Sequence, residues 1–561
     1  NKRGSGIGRS DAFRPLTFIS FSMNYHFGKL NPYGYRLFNL IIHIVTTLLI
    51  FVLSIKVFLR LLQIDNIIPS LFAAILFTVH PINTEVVTYI SNRSDSLATM
   101  FYLSALLFFY KSQERKAYFY PVSLVCFILS LSSKEIAATL PAIILVFDYI
   151  VLSNWDGREV IKRKFVHLWY WVILALYVSL RYFYTGRVGD PGLHTYQNWT
   201  YYSYFITQSY VIISYIKLLI FPSGVSVDHL VEPAKSIFQI KPFLSTALLS
   251  LIFFLLFHIY RIRSRHSRFI LFFSLWFFIT LSTTSSFFPI NDAMTDRRLY
   301  LSGWGFSLCV TYFYLICAEF LDGQKHSGKF TNLVLSILGI HVFLFAITTI
   351  HRNKLFKDPG LMWQDVISKY PNSARAYSKL GVIYYWDKKE YDKGLQFLQK
   401  SLELDPNEPL TYNNIGQIYG IKEKCDIAIQ YFQKAIELDP NSAFGYSNLG
   451  SCYLAMGQYA KAVQSFQKAI ELNPSLHVVH CNLALSYYGL NEYEMSIKCY
   501  QKAVHLNPDY FEAHDLLGQL YLERKQYEKA IEEFQIASMI SPNNHDIQGK
   551  IALSQTMLTI R

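Results

Sequence analysis

The chain has 561 residues, of which 16% are charged and 17% are aromatic, a balance that excludes an intrinsically disordered protein. With 26 glycines and 19 prolines, it is neither collagen-like nor of low complexity. The formal charge of +13 divides into +16 over residues 1–360 and −3 over residues 361–561, which predicts at least two domains.

The chain begins at Asn1 with a polar stretch of Gly, Ser and Arg that does not have the pattern of a signal peptide. We interpret residues 1–34 as a loop outside the cytoplasm. Because the alternation of the later membrane spans already places this loop outside, we expect a membrane helix to precede Asn1 in the complete protein. The alternative is an inverted topology throughout.

Residues 35–352 contain repeated stretches without charged residues, at or near the length that crosses a bilayer as a helix. Together they predict about ten crossings. The stretches are 37–55, 66–84, 96–110, 117–133, 136–147, 165–180, 242–260, 269–291, 299–318 and 330–351. A further stretch, 201–221, contains several tyrosines and Lys217, so we expect it to lie flat at the membrane interface.

Three short connectors between these stretches are rich in Lys and Arg, which marks them as cytoplasmic. The basic residues are Lys111, Arg115 and Lys116, then Arg158, Lys162, Arg163 and Lys164, then Arg261, Arg263, Arg265 and Arg268. The alternation is consistent only if 201–221 does not cross, and it then places everything after Arg352 outside the cytoplasm. The basic excess therefore indicates loops at a membrane surface rather than a nucleic-acid groove.

After a predicted linker over residues 353–373, the sequence has a period of 34 residues, the length of a tetratricopeptide (TPR) repeat. Asp-Pro, Asn-Pro or Ser-Pro steps end successive copies at Pro406, Pro440, Pro474, Pro508 and Pro542. We therefore predict five TPR repeats over residues 374–542 and a capping helix over 543–561. Each repeat is a helix pair that buries its apolar face on its neighbours.

The inner helices of the predicted repeats carry asparagines that have two interpretations. They could hydrogen-bond an extended peptide in the groove, or they could simply solvate helix turns. The residues are Asn413, Asn414, Asn448 and Asn482.

Ionisable residues at the outer ends of the spans are the candidate site, because such residues at membrane depth are costly and usually functional. They are Arg14, His80, Glu85, Arg93, Asp95, Lys134, Glu135, Arg297 and Arg298. Arginine binds phosphate through paired donors, and a carboxylate can take a proton from a hydroxyl, so the set fits a phosphate-bearing lipid and a hydroxyl acceptor. A local Lys134–Glu135 pair and headgroup anchoring by Arg297 and Arg298 are the structural alternatives.

Other chemistries have no support in the motifs. The seven cysteines include no Cys-x-x-Cys pair and predict neither a disulfide framework nor a zinc site. The sequence contains no Walker loop, Rossmann glycine motif or His-Glu-x-x-His motif. We therefore predict no metal site, and the need for a divalent metal stays open.

Several motifs occur in a specific order and are followed by the TPR repeats. They are Phe13-Arg-Pro-Leu-Thr, Asn31-Pro-Tyr-Gly-Tyr, His80-Pro-Ile-Asn-Thr-Glu85, Ser133-Lys-Glu135 and Arg298-Leu-Tyr-Leu. This succession resembles the TMTC family of transmembrane and TPR-containing protein O-mannosyltransferases. The resemblance implies an all-α protein, with a polytopic membrane domain of the GT-C superfamily followed by a TPR solenoid. It also implies transfer of mannose from a polyprenyl phosphate to Ser or Thr hydroxyls of exported proteins, which the repeats would gather.

The same resemblance implies roles for the candidate residues. Arg14, Arg93, Lys134 and Arg298 would hold the donor phosphate, and Glu85, Asp95 or Glu135 would orient the acceptor or the sugar. The family's base is expected in an Asp-Asp context in the first outer loop, a segment that we expect upstream of Asn1. Asp11 is the only acidic residue before the first predicted span. Asp296 and Arg297 stand where the family has an acidic residue before Arg-Leu-Tyr-Leu, and His80 belongs to the same site.

High usage of Ile, Asn, Lys, Phe and Tyr hints at an AT-rich microbial genome, hence a bacterial inner membrane with periplasmic repeats. In a eukaryote the repeats would lie in the lumen of the endoplasmic reticulum. Two other functions stay open: a ligase or polymerase of lipid-linked glycans, and a non-catalytic scaffold. A ligase would be expected to have one large outer loop rich in Arg and His, whereas the longest here, residues 181–205, has few of them.

Overall fold

The computed structural model describes residues 14–114, 116–185, 199–285, 292–322 and 329–560. These residues form helices and no β-strand, so the predicted all-α class is confirmed. The chain divides between Pro371 and Asn372 into two compact units. We call the first the membrane unit and the second the repeat unit.

The membrane unit contains fifteen α-helices within its described residues. They are α1 (Pro15–Gly28), α2 (Pro32–Val57), α3 (Ile68–Val79), α4 (Thr84–Thr88), α5 (Arg93–Gln113), α6 (Phe119–Leu131), α7 (Leu140–Phe147), α8 (Gly157–Lys162), α9 (Lys164–Thr185), α10 (Tyr201–Ile220), α11 (Ile240–Ile262), α12 (Arg265–Leu281), α13 (Leu299–Asp322), α14 (Lys329–Leu355) and α15 (Pro359–Lys369). The residues after α2 and α7 continue as π-helical turns, Phe58–Leu62 and Asp148–Leu152.

All ten predicted crossings are at least partly helical, but they are not equally suited to a bilayer. Within the described residues, seven helices are long and apolar enough to cross a membrane, or eight if the bent pair Ile68–Val79 and Pro81–Thr88 is one span. Three predicted crossings belong neither to the seven helices nor to the bent pair, namely α5, α6 and α12. Helix α5 begins with the charged residues Arg93 and Asp95, and α6 and α12 have only 13 and 17 residues.

Helix α10, predicted to lie flat, belongs to the set that is long and apolar enough to cross. Two of its tyrosine hydroxyls hydrogen-bond residues between α12 and α13. The Tyr204 hydroxyl donates to the carbonyl of Thr284 at 2.8 Å, and the Tyr215 hydroxyl donates to the carbonyl of Thr295 at 3.2 Å. Helix α10 also contacts the start of α11, where the Ser209 hydroxyl donates to the carbonyl of Pro242 at 3.5 Å, and the prediction that α10 lies flat at the interface stays a prediction.

The core of the membrane unit is built around two buried tryptophans. The rings of Trp276 and Trp304 meet edge to face with their centroids 4.6 Å apart. Both indole N–H groups are satisfied, since Trp276 donates to the carbonyl of Leu301 and Trp304 to the hydroxyl of Ser54, each at 3.1 Å. These contacts fix α2, α12 and α13 against one another, and α13 begins at the candidate site.

Two segments predicted as irregular contain helices. Within residues 1–34, α1 begins at Pro15, and the Thr17 hydroxyl donates to the carbonyl of Ser133 at 3.3 Å. Within the predicted linker, residues 353–373, Asp358 caps α15 and accepts from the backbone N–H of Gly360 at 2.7 Å. The Lys369 ammonium donates to the carbonyl of Val225, so α15 packs on the membrane unit.

The repeat unit consists of five helix pairs and one final helix within its described residues. They are α16 (Ala374–Trp386), α17 (Tyr391–Leu404), α18 (Pro409–Ile421), α19 (Cys425–Leu438), α20 (Ala443–Ala455), α21 (Tyr459–Leu472), α22 (His477–Gly489), α23 (Tyr493–Leu506), α24 (Phe511–Glu523), α25 (Tyr527–Ile540) and α26 (His545–Ile560). Asn448 donates to the side-chain oxygen of Asn413 in the preceding repeat at 2.9 Å. At least these two of the groove asparagines therefore bind each other.

In three of the five pairs, the two helices touch where a glycine meets a phenylalanine ring. A Cβ added at Gly416 would lie 2.7 Å from Cε1 of Phe432, and one added at Gly450 would lie 2.7 Å from Cε1 of Phe466. Phe432 and Phe466 are buried and cannot move aside without opening the core. A hydrogen in place of a methyl group is thus what lets the two helices approach.

We predict that Gly416→Ala destabilises the repeat unit by about 1–3 kcal/mol, because the added methyl group overlaps the Phe432 ring. Gly420→Ala is the matched control in the same helix: its Cβ would meet only Cys452 Sγ at 3.9 Å, so stability should be unchanged or slightly higher. Hydrogen–deuterium exchange over residues 409–438 of the purified full chain would measure both. Equal exchange in the two variants would contradict the packing argument.

Candidate active site

The candidate site lies at the end of the membrane unit that is predicted to face away from the cytoplasm, which we call the outer end. Four short 3-10 turns lie there: Pro81–Asn83, Ile90–Asn92, Glu135–Thr139 and Asp296–Arg298. Each turn runs directly into an α-helix. The polar side chains on these turns are therefore held by helix starts.

Lys134 and Asp95 form the tightest ion pair of this end. The Lys134 ammonium lies 2.6 Å from both carboxylate oxygens of Asp95, and both side chains are largely buried. Burial lowers the pKa of the Lys134 ammonium from its ordinary value, and the Asp95 carboxylate offsets part of this effect. The pair joins the start of α5 to the turn before α7.

Glu135 is held by two arginines from distant segments. Nη2 of Arg14 donates to both carboxylate oxygens, at 3.0 and 3.2 Å, and Nη2 of Arg181 lies 3.6 Å from one of them. Glu135 therefore pairs with Arg14 and Arg181, whereas its neighbour Lys134 pairs with Asp95. The contacts connect the start of α1 and the end of α9 to the turn before α7.

Glu85 and Arg297 meet through an asparagine. The Asn92 amide donates to one Glu85 carboxylate oxygen at 3.0 Å and accepts from Nη1 of Arg297 at 3.0 Å, while Arg297 and Glu85 are 4.0 Å apart. Arg297 also lies 3.6 Å from the Asp292 carboxylate. The second carboxylate oxygen of Glu85 is buried without a hydrogen-bond partner among the described residues.

These three groups form one cluster, which we call the outer cluster. Lys134 lies within electrostatic interaction range of Arg14 and Arg297. Arg297 in turn lies within this range of Arg14 and Asp95. Its members are Arg14, Glu85, Asn92, Asp95, Lys134, Glu135, Arg181, Asp292 and Arg297. The side chains of Arg14 and Arg297 are 26% and 32% exposed, whereas Glu85 and Asp95 are 6% exposed. Glu135 and Asp292 are as exposed as these two arginines, so the open side of the cluster carries both cations and carboxylates.

Arg93 lies apart from the outer cluster in its contacts. Its guanidinium is completely buried and donates to the Asn39 amide oxygen at 2.8 Å, the Ser20 carbonyl at 3.1 Å and the Tyr35 carbonyl at 3.0 Å. It also stacks within 4.7 Å of the ring centroids of Phe21 and Phe38. The donors of Arg93 are therefore used to join α1, α2 and α5.

Arg298 and His80 are also occupied by backbone groups. Arg298 donates to the carbonyls of Asp292 and Ala293. His80 is buried, bonds the carbonyl of Leu219 through Nε2 at 3.0 Å, and accepts from the backbone N–H of Ile82 through Nδ1. Both side chains therefore stabilise the turns that carry residues of the outer cluster. Asp11 lies outside the described residues.

Asp296 belongs to a second buried network beside the outer cluster. Its carboxylate accepts from the backbone N–H of Ser226 at 2.7 Å and from Nε2 of His229 at 2.8 Å, and it pairs with Arg352 at 3.5 Å. Nδ1 of His229 lies 2.7 Å from the Tyr370 hydroxyl. Burial raises the pKa of Tyr370 to about 12, so this hydroxyl stays protonated at neutral pH and can donate to Nδ1 of His229.

The structure adds residues that the sequence did not single out. Arg181, Asn92 and Asp292 belong to the outer cluster, and His229 and Arg352 to the Asp296 network. Arg181 and Arg352 each come directly after a long apolar stretch. This position could have marked them as charged residues at the ends of spans, and therefore as candidates for the site. His229 sits in a loop with no such pattern. Among the described residues, no group of three or more His, Cys, Asp or Glu side chains is arranged to hold a metal ion.

Both units are similar to known proteins. A family model for dolichyl-phosphate-mannose-protein mannosyltransferase matches residues 18–182, and tetratricopeptide-repeat models match residues 372–441, 443–476, 477–510 and 499–532. The human protein O-mannosyl-transferase TMTC3 is 23% identical over 447 residues, covering 73% of this chain and 46% of the relative. The chain is TMTC-like. The resemblance predicted from its motifs is confirmed.

Two further relatives are also protein O-mannosyl-transferases. The Caenorhabditis elegans protein O-mannosyl-transferase F38B6.6 is 26% identical, covering 66% of this chain and 51% of the relative. The Xenopus laevis protein O-mannosyl-transferase tmtc2 is 32% identical over 166 residues, covering 28% of this chain and 19% of the relative. The chain spans about half the length of the first curated relatives it matches.

We predict that Arg93→Gln lowers the stability of the membrane unit by about 3 kcal/mol or more, because it leaves buried acceptors on Ser20, Asn39 and Tyr35 without their charged donor. Unfolding of the purified chain by dodecyl sulfate in mixed micelles would measure the loss. The exposed Arg158→Gln should change stability by less than about 0.5 kcal/mol. A loss no larger than that of the control would refute the structural role.

Proposed function

We propose that the membrane unit is a glycosyltransferase that moves a sugar, mannose, from a polyprenyl phosphate to Ser or Thr hydroxyls of exported proteins. The outer cluster carries this proposal. Five of its ion-pairing residues, Glu85, Asp95, Lys134, Glu135 and Arg181, fall within the segment that matches the mannosyltransferase family model. They are the charged groups that such a transfer requires, gathered at one end of a membrane bundle.

The donor phosphate would be held by Arg14, Lys134 and Arg297. These three cations lie within electrostatic range of one another, and each side chain is partly exposed. A phosphate between them would relieve their mutual repulsion and accept charge-assisted hydrogen bonds. Arg93 and Arg298 are buried and donate to neutral oxygens, mostly backbone carbonyls, so we assign them to holding the site together.

The acceptor hydroxyl would attack the sugar carbon bonded to the phosphate oxygen. That carbon–oxygen bond breaks, its electron pair leaves with the phosphate, and a carboxylate receives the hydroxyl proton. Asp95 and Glu135 are each neutralised by an ion pair at 3.0 Å or less. Glu85 has one oxygen without a partner among the described residues, so Glu85 is our candidate for orienting the hydroxyl.

The repeat unit would bind the acceptor polypeptide before transfer. Its five helix pairs match tetratricopeptide-repeat models, and stacked repeats of this kind form extended binding surfaces. Binding outside the catalytic groups would raise the local concentration of Ser and Thr hydroxyls near the outer cluster. This role requires the repeats and the outer cluster to share one compartment.

Lys134→Ala is expected to reduce mannose transfer by about 100-fold or more, because it removes a positive charge that stabilises the departing phosphate. Lys134→Arg should retain part of the activity. Transfer of labelled mannose from a polyprenyl phosphate to membrane protein, normalised to inserted enzyme, would measure both. Arg158→Gln, distant in sequence from every member of the cluster, is the control. Full transfer by Lys134→Ala would overturn the proposal.

Single-cysteine labelling should place the repeat unit outside the cytoplasm. In a variant whose seven cysteines are replaced by serine, Met539→Cys carries a reporter in the repeats and Arg158→Cys one in a basic connector, both at exposed positions. An impermeant maleimide applied to intact cells with access to the extracytoplasmic side should label the first and not the second. The opposite labelling pattern would place the repeats in the cytoplasm, away from the exported proteins that they are proposed to bind, and would contradict this role.

A further inference from the structure

Three arginines come together at the end of the membrane unit opposite the outer cluster. Arg60 lies in the π-helical turn after α2, and Arg265 and Arg268 lie in the first turn of α12. Arg268 is within electrostatic interaction range of both Arg265 and Arg60. No carboxylate forms a salt bridge with any of them among the described residues.

Each of the three guanidinium groups is held by a neutral oxygen. Arg60 donates to the carbonyl of Leu152 at 3.3 Å, Arg265 donates to the side-chain oxygen of Gln63 at 2.8 Å, and Arg268 donates to the side-chain oxygen of Asn154. Neutral acceptors fix the guanidinium groups without cancelling their charge. The result is a concentrated positive potential on a preorganised set of donors.

The backbone next to these arginines also has features of a preformed binding site. Gln63 and Asn154, which hold two of the arginines, both have positive φ angles of 59° and 50°. Each follows or lies close after a π-helical turn, a feature common at functional sites. In addition, the first turn of α12 carries Arg265 and Arg268 and no acidic residue, although a helix start favours negative charge. Backbone and side chains therefore both favour an anion here.

The position along α2 points to the headgroup layer of the membrane. Asn39, which binds Arg93 near the outer end, and Arg60 are 21 residues apart in one nearly continuous helix. At 1.5 Å per residue this separation is about 30 Å, the thickness of the hydrocarbon core of a bilayer. Arg60 therefore lies at the level where lipid phosphates of the opposite leaflet are found.

We propose that Arg60, Arg265 and Arg268 form a binding site for a phosphate group, with a lipid headgroup of that leaflet as its source. Arginine donors match phosphate oxygens in pairs, and three guanidinium groups from two segments would surround one phosphate. This site is separate from the outer cluster and does not depend on the proposed transferase activity. Bound lipid would connect the end of α2 to the start of α12.

The test uses the full chain in phosphatidylcholine nanodiscs with and without phosphatidic acid, with thermal unfolding and native mass spectrometry as readouts. Phosphatidic acid should bind and raise the unfolding midpoint of the wild-type chain. Arg268→Gln and Arg265→Gln should each weaken binding by about tenfold or more and lose the midpoint shift. In pure phosphatidylcholine these variants should unfold no earlier than wild type, because removing one of three like charges relieves repulsion.

The control variants remove the same charge from the same connector. Arg261→Gln and Arg263→Gln affect guanidinium groups that lie over the rings of Phe257 and Tyr260, so they should keep phosphatidic acid binding within about twofold. Equal losses in control and site variants would show nonspecific attraction of anionic lipid and overturn the site. No binding by wild type would overturn it as well. Inorganic phosphate in place of phosphatidic acid gives the second arm: an equal midpoint shift would keep the phosphate site but assign it to a soluble ligand.

Discussion

A charged side chain inside a helical membrane bundle is stable only when a partner from another segment satisfies it, since an isolated buried ion costs several kcal/mol. This constraint organises the outer end of the membrane unit. Lys134 needs Asp95, Glu135 needs Arg14 and Arg181, and Arg93 needs acceptors on two other helices, α1 and α2. Because each partner comes from a distant part of the sequence, satisfying the charges brings the segments together.

The same constraint separates cations that hold the fold from cations that can meet a ligand. Arg93 and Arg298 donate to backbone carbonyls, and a phosphate would have to displace those bonds to reach them. Arg14 and Arg297 are partly exposed and pair with carboxylates, whose charge a phosphate can replace. At the outer end, we therefore assign a buried arginine held by two or more neutral oxygens to the fold, and a partly exposed arginine paired with a carboxylate to the proposed ligand.

The sequence could predict the features that depend on periodicity. The 34-residue spacing of proline predicts five helix pairs, and the Gly416 and Gly450 positions are where helices touch Phe432 and Phe466. The grouping of Lys134, Glu135, Asp95 and Glu85 at one end follows from alternating spans. Which residues pair within that group could not be predicted from the sequence. Lys134 pairs with Asp95 across 39 residues and Glu135 with Arg14 across 121, and no local pattern marks such distant partners. Arg93 bonds backbone carbonyls, which have no sequence pattern.

The two ends of the membrane unit solve the problem of charge in different ways. At the outer end, cations alternate with carboxylates, so the cluster is held together without a ligand and can exchange one. At the opposite end, Arg60, Arg265 and Arg268 are fixed by neutral oxygens, and their repulsion remains. A site that must release its ligand in every reaction cycle suits the first arrangement, because its own carboxylates can replace the departing anion. A site whose ligand stays bound suits the second, because the bound anion is then part of what stabilises the fold.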